Sequence, residues 1–309
     1  MCRSRTLFLP LLLLFTLAGH AASRAAGPAT IGVSMHFLRD DYAGALVRAI
    51  RARAASRPGT RVVIADANGA AAKQLTDIEN LVVQKVDALI VVPIDEKAIL
   101  SGLRKANAAR IPVIAVTQIP QAQVAATVAA RGDYANGKAS GDLLRQRLKG
   151  KGGIAIIDMP YSLWRIDERE RGLKDALAGS AIQIVAHQAG TDQAAVQDVV
   201  AGLLIAHPDL AGIWCSFSNQ LVGAADALRQ ARRSDVALTG IDADRAVIER
   251  IRKGWITGAA AQFPTVHGTL AAEAALRILA GQPPPADVEA PVAVVTRDNA
   301  DELQRRIWE

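Results

Sequence analysis

The sequence predicts an α/β fold made of two doubly wound parallel-sheet lobes joined by a hinge that the chain crosses more than once. Short β-branched runs alternate with amphipathic stretches along most of its length, the sequence form of βαβ units with helices on both faces of a parallel sheet. Ten such runs occur, too many for one small sheet. Once an export signal is set aside, roughly 285 residues remain, comfortable for two domains of ordinary size.

The chain opens with Arg3 and Arg5, an apolar run from Leu7 to Ala18, and small residues through Ala26. This is the layout of a secretory signal peptide, expected over residues 1–26 with cleavage between Ala21 and Ala26. About a dozen apolar residues cannot span a hydrocarbon core that needs roughly 20. The periplasm is therefore the expected location.

The first lobe is expected over 28–131 plus 264–291. Its strands start at Ile31 (IGVSM), Val62 (VVIA), Ala88 (ALIVV), Val113 (VIAV) and Val124 (VAATVAA). Asp40 or Asp41 can accept hydrogen bonds at the start of a helix carrying Leu46, Val47 and Ile50, which Pro58-Gly59 ends. From Ala71 to Gln84, Leu75, Ile78, Leu81 and Val82 form one stripe, with Lys73, Asp77 and Lys85 mostly away from it. Pro93 breaks the chain after the third strand, and Asp95 is expected to cap the next helix.

The second lobe is expected over 132–263 plus 292–309, restarting with a helix near Tyr134. Its strands begin at Ile154 (IAII), Ile182 (IQIV), Gly212 (GIWC), Val236 (VALTGI) and Ile256 (ITGAAA). A late helix runs from about Pro264 to Leu279. Gly281 and the stiff connector Pro283 to Pro285 follow it, and then a last extended piece, Val292 to Val295. Crossings near Arg131, Phe263 and Pro291 would act as the hinge.

Composition excludes several functions. The net charge of +6 falls when Arg3 and Arg5 leave with the signal, and the basic residues are interleaved with acids, so nucleic acid is not an expected partner. Cys2 leaves as well, and Cys215 is left alone in an apolar run as a small buried hydrophobe. No histidine spacing suits zinc, and no nucleophile elbow or triad motif marks a hydrolase. No catalytic residue, metal or cofactor is expected. Gly132 to Lys138 (GDYANGK) matches the outline of a phosphate-cradling loop, but Ala139 stands where a magnesium-binding hydroxyl is needed. A hinge exit followed by a helix start is the simpler reading. The glycines of KGKGGI precede a strand rather than follow one, the wrong order for a dinucleotide fingerprint.

In open parallel sheets ligands bind beyond the carboxyl ends of the strands. Those ends carry His36 to Tyr42 (with Asp40), Thr117 and Gln118, Asp158 to Trp164, Ser216 to Asn219 (with Phe217), Asp242, and Gln262. Amides and carboxylates take hydroxyls in pairs while rings cover C–H faces, the mixture a polyhydroxylated small molecule needs. Each residue also has a plainer reading. Asp242 can cap a helix, Gln262 can tie down backbone, and Trp164 can cover a helix start. Arg169 and Arg171 can be solvated helix charges.

The segments RIPVIAV at Arg110, DERERG at Asp167, HPDLAGIWC at His207, TGIDAD at Thr239 and AAAQFP at Ala259 resemble the type I periplasmic binding proteins, in the ribose-binding branch that delivers sugars to ABC importers. The resemblance covers nearly all of the chain from Thr30. It implies a ligand carboxylate at Asp242, an interlobe amide at Gln262, an arginine at Arg171 with Arg169 nearby, and an aromatic at Tyr42. Thr117-Gln118 replaces the Asp-Arg pair usual in ribose binders, and Ser216-Phe217-Ser218-Asn219 and His36 also depart from the pattern. Losing a buried carboxylate and its arginine removes bonds worth roughly 1.5–3 kcal/mol each, so ribose itself is not the expected guest. The resemblance implies a monomeric solute-binding protein that carries a small polar ligand, foremost a sugar or polyol, to an inner-membrane ABC permease. The alternative is a periplasmic co-receptor that signals to a membrane histidine kinase.

Overall fold

Two six-stranded sheets organise the chain in the computed structural model, which describes residues 28–160, 163–283 and 287–308. The expected signal peptide and Pro284-Pro285 of the connector lie outside the described residues. The first sheet contains β1 (Ala29–Met35), β2 (Thr60–Asp66), β3 (Ala88–Val91), β4 (Val113–Val116), β5 (Ala126–Val128) and the short β11 (Asp287–Val288), in the order β11-β5-β4-β3-β1-β2. The second contains β6 (Lys151–Asp158), β7 (Ala181–Ala189), β8 (Gly212–Cys215), β9 (Ala237–Ile241), β10 (Gly258–Ala261) and β12 (Ala293–Val295), in the order β12-β10-β9-β8-β6-β7. All neighbouring strands run parallel except β12, which is antiparallel to β10. The two orders are the same permutation, so β4 and β9 hold equivalent places.

Helices cover both faces of each sheet, which is why the central strands read as unbroken apolar runs. On the first sheet, α1 (Asp41–Ala54) and α9 (Pro264–Leu279) pack over Ile31, Val33, Ile90 and Ile114. On its other face α2 (Ala71–Val83) and α3 (Leu100–Ala108) pack over Leu89, Val91 and Val113. The second sheet carries α4 (Gly132–Arg147) and α5 (Trp164–Leu177) on one side, around the fully buried Trp214. On the other lie α6 (Gln193–Ala206), α7 (Ser218–Gln230), α8 (Arg245–Arg252) and α10 (Ala300–Trp308). Among the described residues no helix is long and apolar enough to cross a membrane.

The chain passes from the first sheet to the second after β5, returns after β10, and leaves again after β11. The exits lie side by side, since β11 pairs with β5 and β12 with β10.

Several local expectations change. Asp95 accepts from Lys97 and Ala98 N–H but caps only a turn, and α3 begins later, at Leu100. Asp77 lies on the buried face of α2, made tolerable by Lys73, whose Nζ reaches both its oxygens at 2.8 and 2.9 Å. The GDYANGK segment is the first turns of α4, and its Gly137 is a contact glycine. A Cβ there would overlap the carbonyl oxygen of Arg169, just as one at Gly172 would overlap that of Tyr134. Glycine at these positions lets α4 and α5 approach backbone to backbone. Cys215 is fully buried, and burial pushes its thiol well up, as expected for an inert side chain.

Candidate functional site

The carboxyl ends of both sheets face a cavity of 510 Å³ between the lobes. That volume lies in the usual range for a small-molecule site. From the first lobe, His36, Asp40, Tyr42 and Thr117 line it, and from the second, Phe217, Asn219, Asp242 and Gln262.

The site centres on Arg169, one turn into α5 and 3 % exposed. Its Nε donates to Asp133 Oδ1 at 2.9 Å and its Nη1 to the Ser216 carbonyl at 2.7 Å. Nη1 also stands 3.6 Å from Asp242 Oδ2, and the guanidinium lies over the Phe217 ring at 4.7 Å. The network extends to both sides. Thr117 Oγ1 donates to Asp133 Oδ2 at 2.6 Å, and Gln262 Nε2 donates to Asp242 Oδ1 at 2.6 Å. Polar groups of both lobes thus form one network, hydrogen-bonded from Thr117 to Arg169 and from Gln262 to Asp242 and joined by the Arg169–Asp242 ion pair. Burial pulls the Arg169 pKa down, but Asp242 and Asp133 outweigh it and leave it raised.

Thr117 and Asp242 end the equivalent strands β4 and β9 in the left-handed region, at φ 73° and 72°. Each donates its N–H to the neighbouring strand, Thr117 to Val128 O at 2.8 Å and Asp242 to Ala260 O at 2.9 Å. Conformations rare for side-chain-bearing residues are stored at the same place in both lobes, where they turn a polar side chain toward the cleft. Burial raises the Asp242 pKa, while Arg169 and the Gln262 amide oppose it. The carboxylate still leaves 26 % of its side chain open.

In the first lobe the Tyr42 hydroxyl and His267 Nδ1, on α9, are 2.9 Å apart. Burial lowers His267 to about 4 against the pull of Asp133, so the ring is neutral at pH 7. His36 is lowered to about 3 by burial and then by Arg165, and its ring meets those of Phe37 and Tyr42. Gln74 holds the loop beyond β3: its Nε2 donates to Val92 O and its Oε1 accepts from Ile94 N–H, both at 2.8 Å. Across the cleft Gln220 does the same for the loop after β8, donating to Gly190 O at 2.8 Å and accepting from Phe217 N–H at 3.2 Å.

Three expected residues do not reach the cavity. Arg171 points away from it, 54 % exposed, its Nε on Glu168 at 2.9 Å and its guanidinium over Tyr134 at 4.2 Å. Two residues along a helix is a rotation of about 200°, so Arg169, in phase with the buried Ile166 and Leu173, takes the inward place. The arginine assignment is therefore corrected to Arg169. Trp164, the first residue of α5, is 40 % exposed outside the cavity, and its neighbour Arg165 enters instead. Gln118 follows the left-handed turn at Thr117, which leaves it off the cavity wall.

Sequence reasoning missed Asp133, Arg165, Asp244, His267 and Trp308, all of which line the cavity. The inward stripe Ile166-Arg169-Leu173 was the signal for Arg169, and the first turn of a helix at a crossing was the signal for Asp133. Arg165 bridges the lobes, its Nη1 donating to Glu96 Oε1 at 2.9 Å and to the Ile94 carbonyl at 2.8 Å.

Two like-built lobes with a polar, ring-lined cleft between them define a two-lobed binding protein. Among the described residues no cluster of three His, Cys, Asp or Glu could hold a metal ion. The chain belongs to the periplasmic binding protein domain family, whose sequence pattern matches residues 31–283. This is a family of binding proteins rather than enzymes. The chain is 29% identical to the ribose import binding protein RbsB of Bacillus subtilis (strain 168), over 87% of each chain. It is 30% identical to a D-ribose/D-allose-binding protein of Pseudomonas aeruginosa, over 72% of this chain and 74% of the relative. An ABC transporter solute binding protein from Bacillus halodurans C-125 with bound myo-inositol superposes with a TM-score of 0.83 at 23% identity, covering 91% of this chain and 99% of that one. The last likeness is one of fold.

Proposed function

We propose that this chain is a periplasmic solute-binding protein that closes on a sugar or sugar-like polyol and delivers it to an ABC permease. The observation that carries this reading is the polar network Thr117–Asp133–Arg169–Asp242–Gln262, three hydrogen bonds and one ion pair, running across a cleft whose first-lobe wall also holds Tyr42 and His36. A guest that satisfies groups from both walls at once binds the shut arrangement better than the open one, which is what closure requires. The moving bodies on this reading are 28–131 plus 264–291 and 132–263 plus 292–309, exported as a monomer after loss of residues 1–26.

The test is a thermal-shift screen over pentoses, hexoses, polyols and small amine oxides. At a hundredfold excess over Kd a ligand adds about 2.7 kcal/mol, or roughly 5–10 °C for lobes of this size. Asp242→Ala should abolish that rise without unfolding the protein, and Gln262→Ala should reduce it. A rise that survives Asp242→Ala removes that carboxylate from the site.

A further inference from the structure

The charges of the cleft do not balance for a neutral guest. Five carboxylates line it, those of Asp40, Asp41, Asp133, Asp242 and Asp244, against the guanidiniums of Arg39, Arg165 and Arg169. Arg165 is already committed to Glu96, and Arg169 to Asp133 and Asp242. Arg39 is exposed and lies over the Phe37 ring at 5.1 Å. The buried histidines add no positive charge at neutral pH. Among the described residues Asp41 pairs only with the exposed Arg245, at 4.0 Å.

Asp40 and Asp244 make no ion pair among the described residues. They cap α1 and α8 from opposite lobes. Each spends Oδ1 on a backbone N–H, Ala43 at 2.7 Å and Val247 at 2.9 Å, which leaves Oδ2 for a guest. Burial raises the Asp40 pKa; the Ala43 N–H opposes this, while Asp242, Asp244 and Asp41 add to it, so acids of the two jaws repel one another.

A further feature points to an organic cation: the rings of the cleft already face cations, Phe37 and Phe217 each carrying a guanidinium, with Tyr42 on the first-lobe wall and Trp308 on the second.

We propose that the guest is an amine-bearing polyol, an amino sugar or amino-substituted ring polyol, whose ammonium lies between Asp40 and Asp244 while Asp242 and Gln262 take its hydroxyls. This rests on the binding function proposed above and narrows it. A cation between the jaws relieves their repulsion only when they meet, which gives it differential affinity for the closed state.

Titration calorimetry of the full mature chain at pH 7 tests this with D-glucose, D-glucosamine and N-acetyl-D-glucosamine, with D-galactose and D-galactosamine, and with myo-inositol and an aminodeoxy-inositol. The free amine should bind roughly tenfold or more tightly than its neutral counterparts in at least one series. The preference should shrink at high salt. It should disappear in Asp40→Asn/Asp244→Asn, since asparagine keeps both helix caps. Neutral members that bind as well as or better than their amines overturn the inference and leave the sugar reading intact. An amine preference that survives the double variant overturns the assignment to these carboxylates. Absence of binding by every member of all series overturns the inference, while the binding reading itself falls only if the wider thermal-shift screen is also silent.

Discussion

Arg165 is where one lobe takes hold of the other, and replacing it should open the protein. Its pair with Glu96 is well shielded, with 18% and 3% of the two side chains exposed. Arg165→Met deletes two charge-assisted bonds and leaves the Glu96 carboxylate without a counter-charge while the lobes are shut. Opening rehydrates that carboxylate, so the penalty falls on the closed form alone. Breaking a fully buried pair costs about 3–5 kcal/mol, and the partial exposure of Arg165 places this one near the lower end, about 3 kcal/mol. Apparent affinity scales with the closed fraction, so ligand binding should weaken on the order of 100-fold. Arg165 also lines the cleft, which confounds the single variant, but Glu96 does not. Glu96→Gln, which keeps a neutral hydrogen bond, should weaken binding about tenfold, by the loss of one charge-assisted bond of about 1.5 kcal/mol. A double-mutant cycle by calorimetry, with small-angle scattering of each variant, separates the contributions. Coupling of about 1–2 kcal/mol and a larger radius of gyration are expected. Additive effects, or scattering curves identical to wild type, would refute the latch.

Gly137→Ala should force α4 and α5 apart, lowering the urea midpoint by the equivalent of about 1–3 kcal/mol and weakening ligand binding through displaced Arg169. An unmoved midpoint contradicts the contact-glycine assignment. Arg169→Met leaves Asp133 and Asp242 facing each other without their cation and should cost about 3–5 kcal/mol by denaturant titration. Arg169→Lys should recover only part, because an ammonium cannot reach both carboxylates and the Ser216 carbonyl in one plane. His267 is a base whose folded pKa of about 4 lies below its unfolded value of 6.5. Below pH 6.5 the unfolded chain takes up a proton that the folded chain refuses, so its contribution is complete above 6.5 and is lost as pH falls toward 4. The loss reaches about 3 kcal/mol. His267→Gln should flatten the stability–pH curve in that window, and an unchanged slope would count against the neutral buried ring.

Much of the fold could be read from the chain because burial on both faces writes itself as short, largely apolar runs, as at Ile31–Met35, Val113–Val116 and Gly212–Cys215. β11 could not, since two residues carry no period and the pairing is decided by β5 across the lobe. Asp77 and Asp95 show the limit of local rules. A charged residue joins a buried face when a lysine one turn away reaches it, and a capping side chain can close a turn without starting a helix. In the site, Asp242 and Gln262 were legible because they follow strand ends directly, and the structure brings their side chains together at the cleft. Arg169 and Arg171 are two positions apart in one charged run, and only the helix phase set by Ile166 and Leu173 separates the inward one from the outward one. Arg165 and Trp308 are brought to the cleft by tertiary placement that no local spacing records.

The side-by-side exits of β5 with β11 and β10 with β12 have a mechanical consequence. One tether would let the halves swivel freely, and two would leave them a twist. Three strands running abreast restrict the motion largely to bending about one line. If the halves shut on a guest as proposed, each closure would return Arg165 to Glu96 in the same alignment, leaving little orientational freedom to lose.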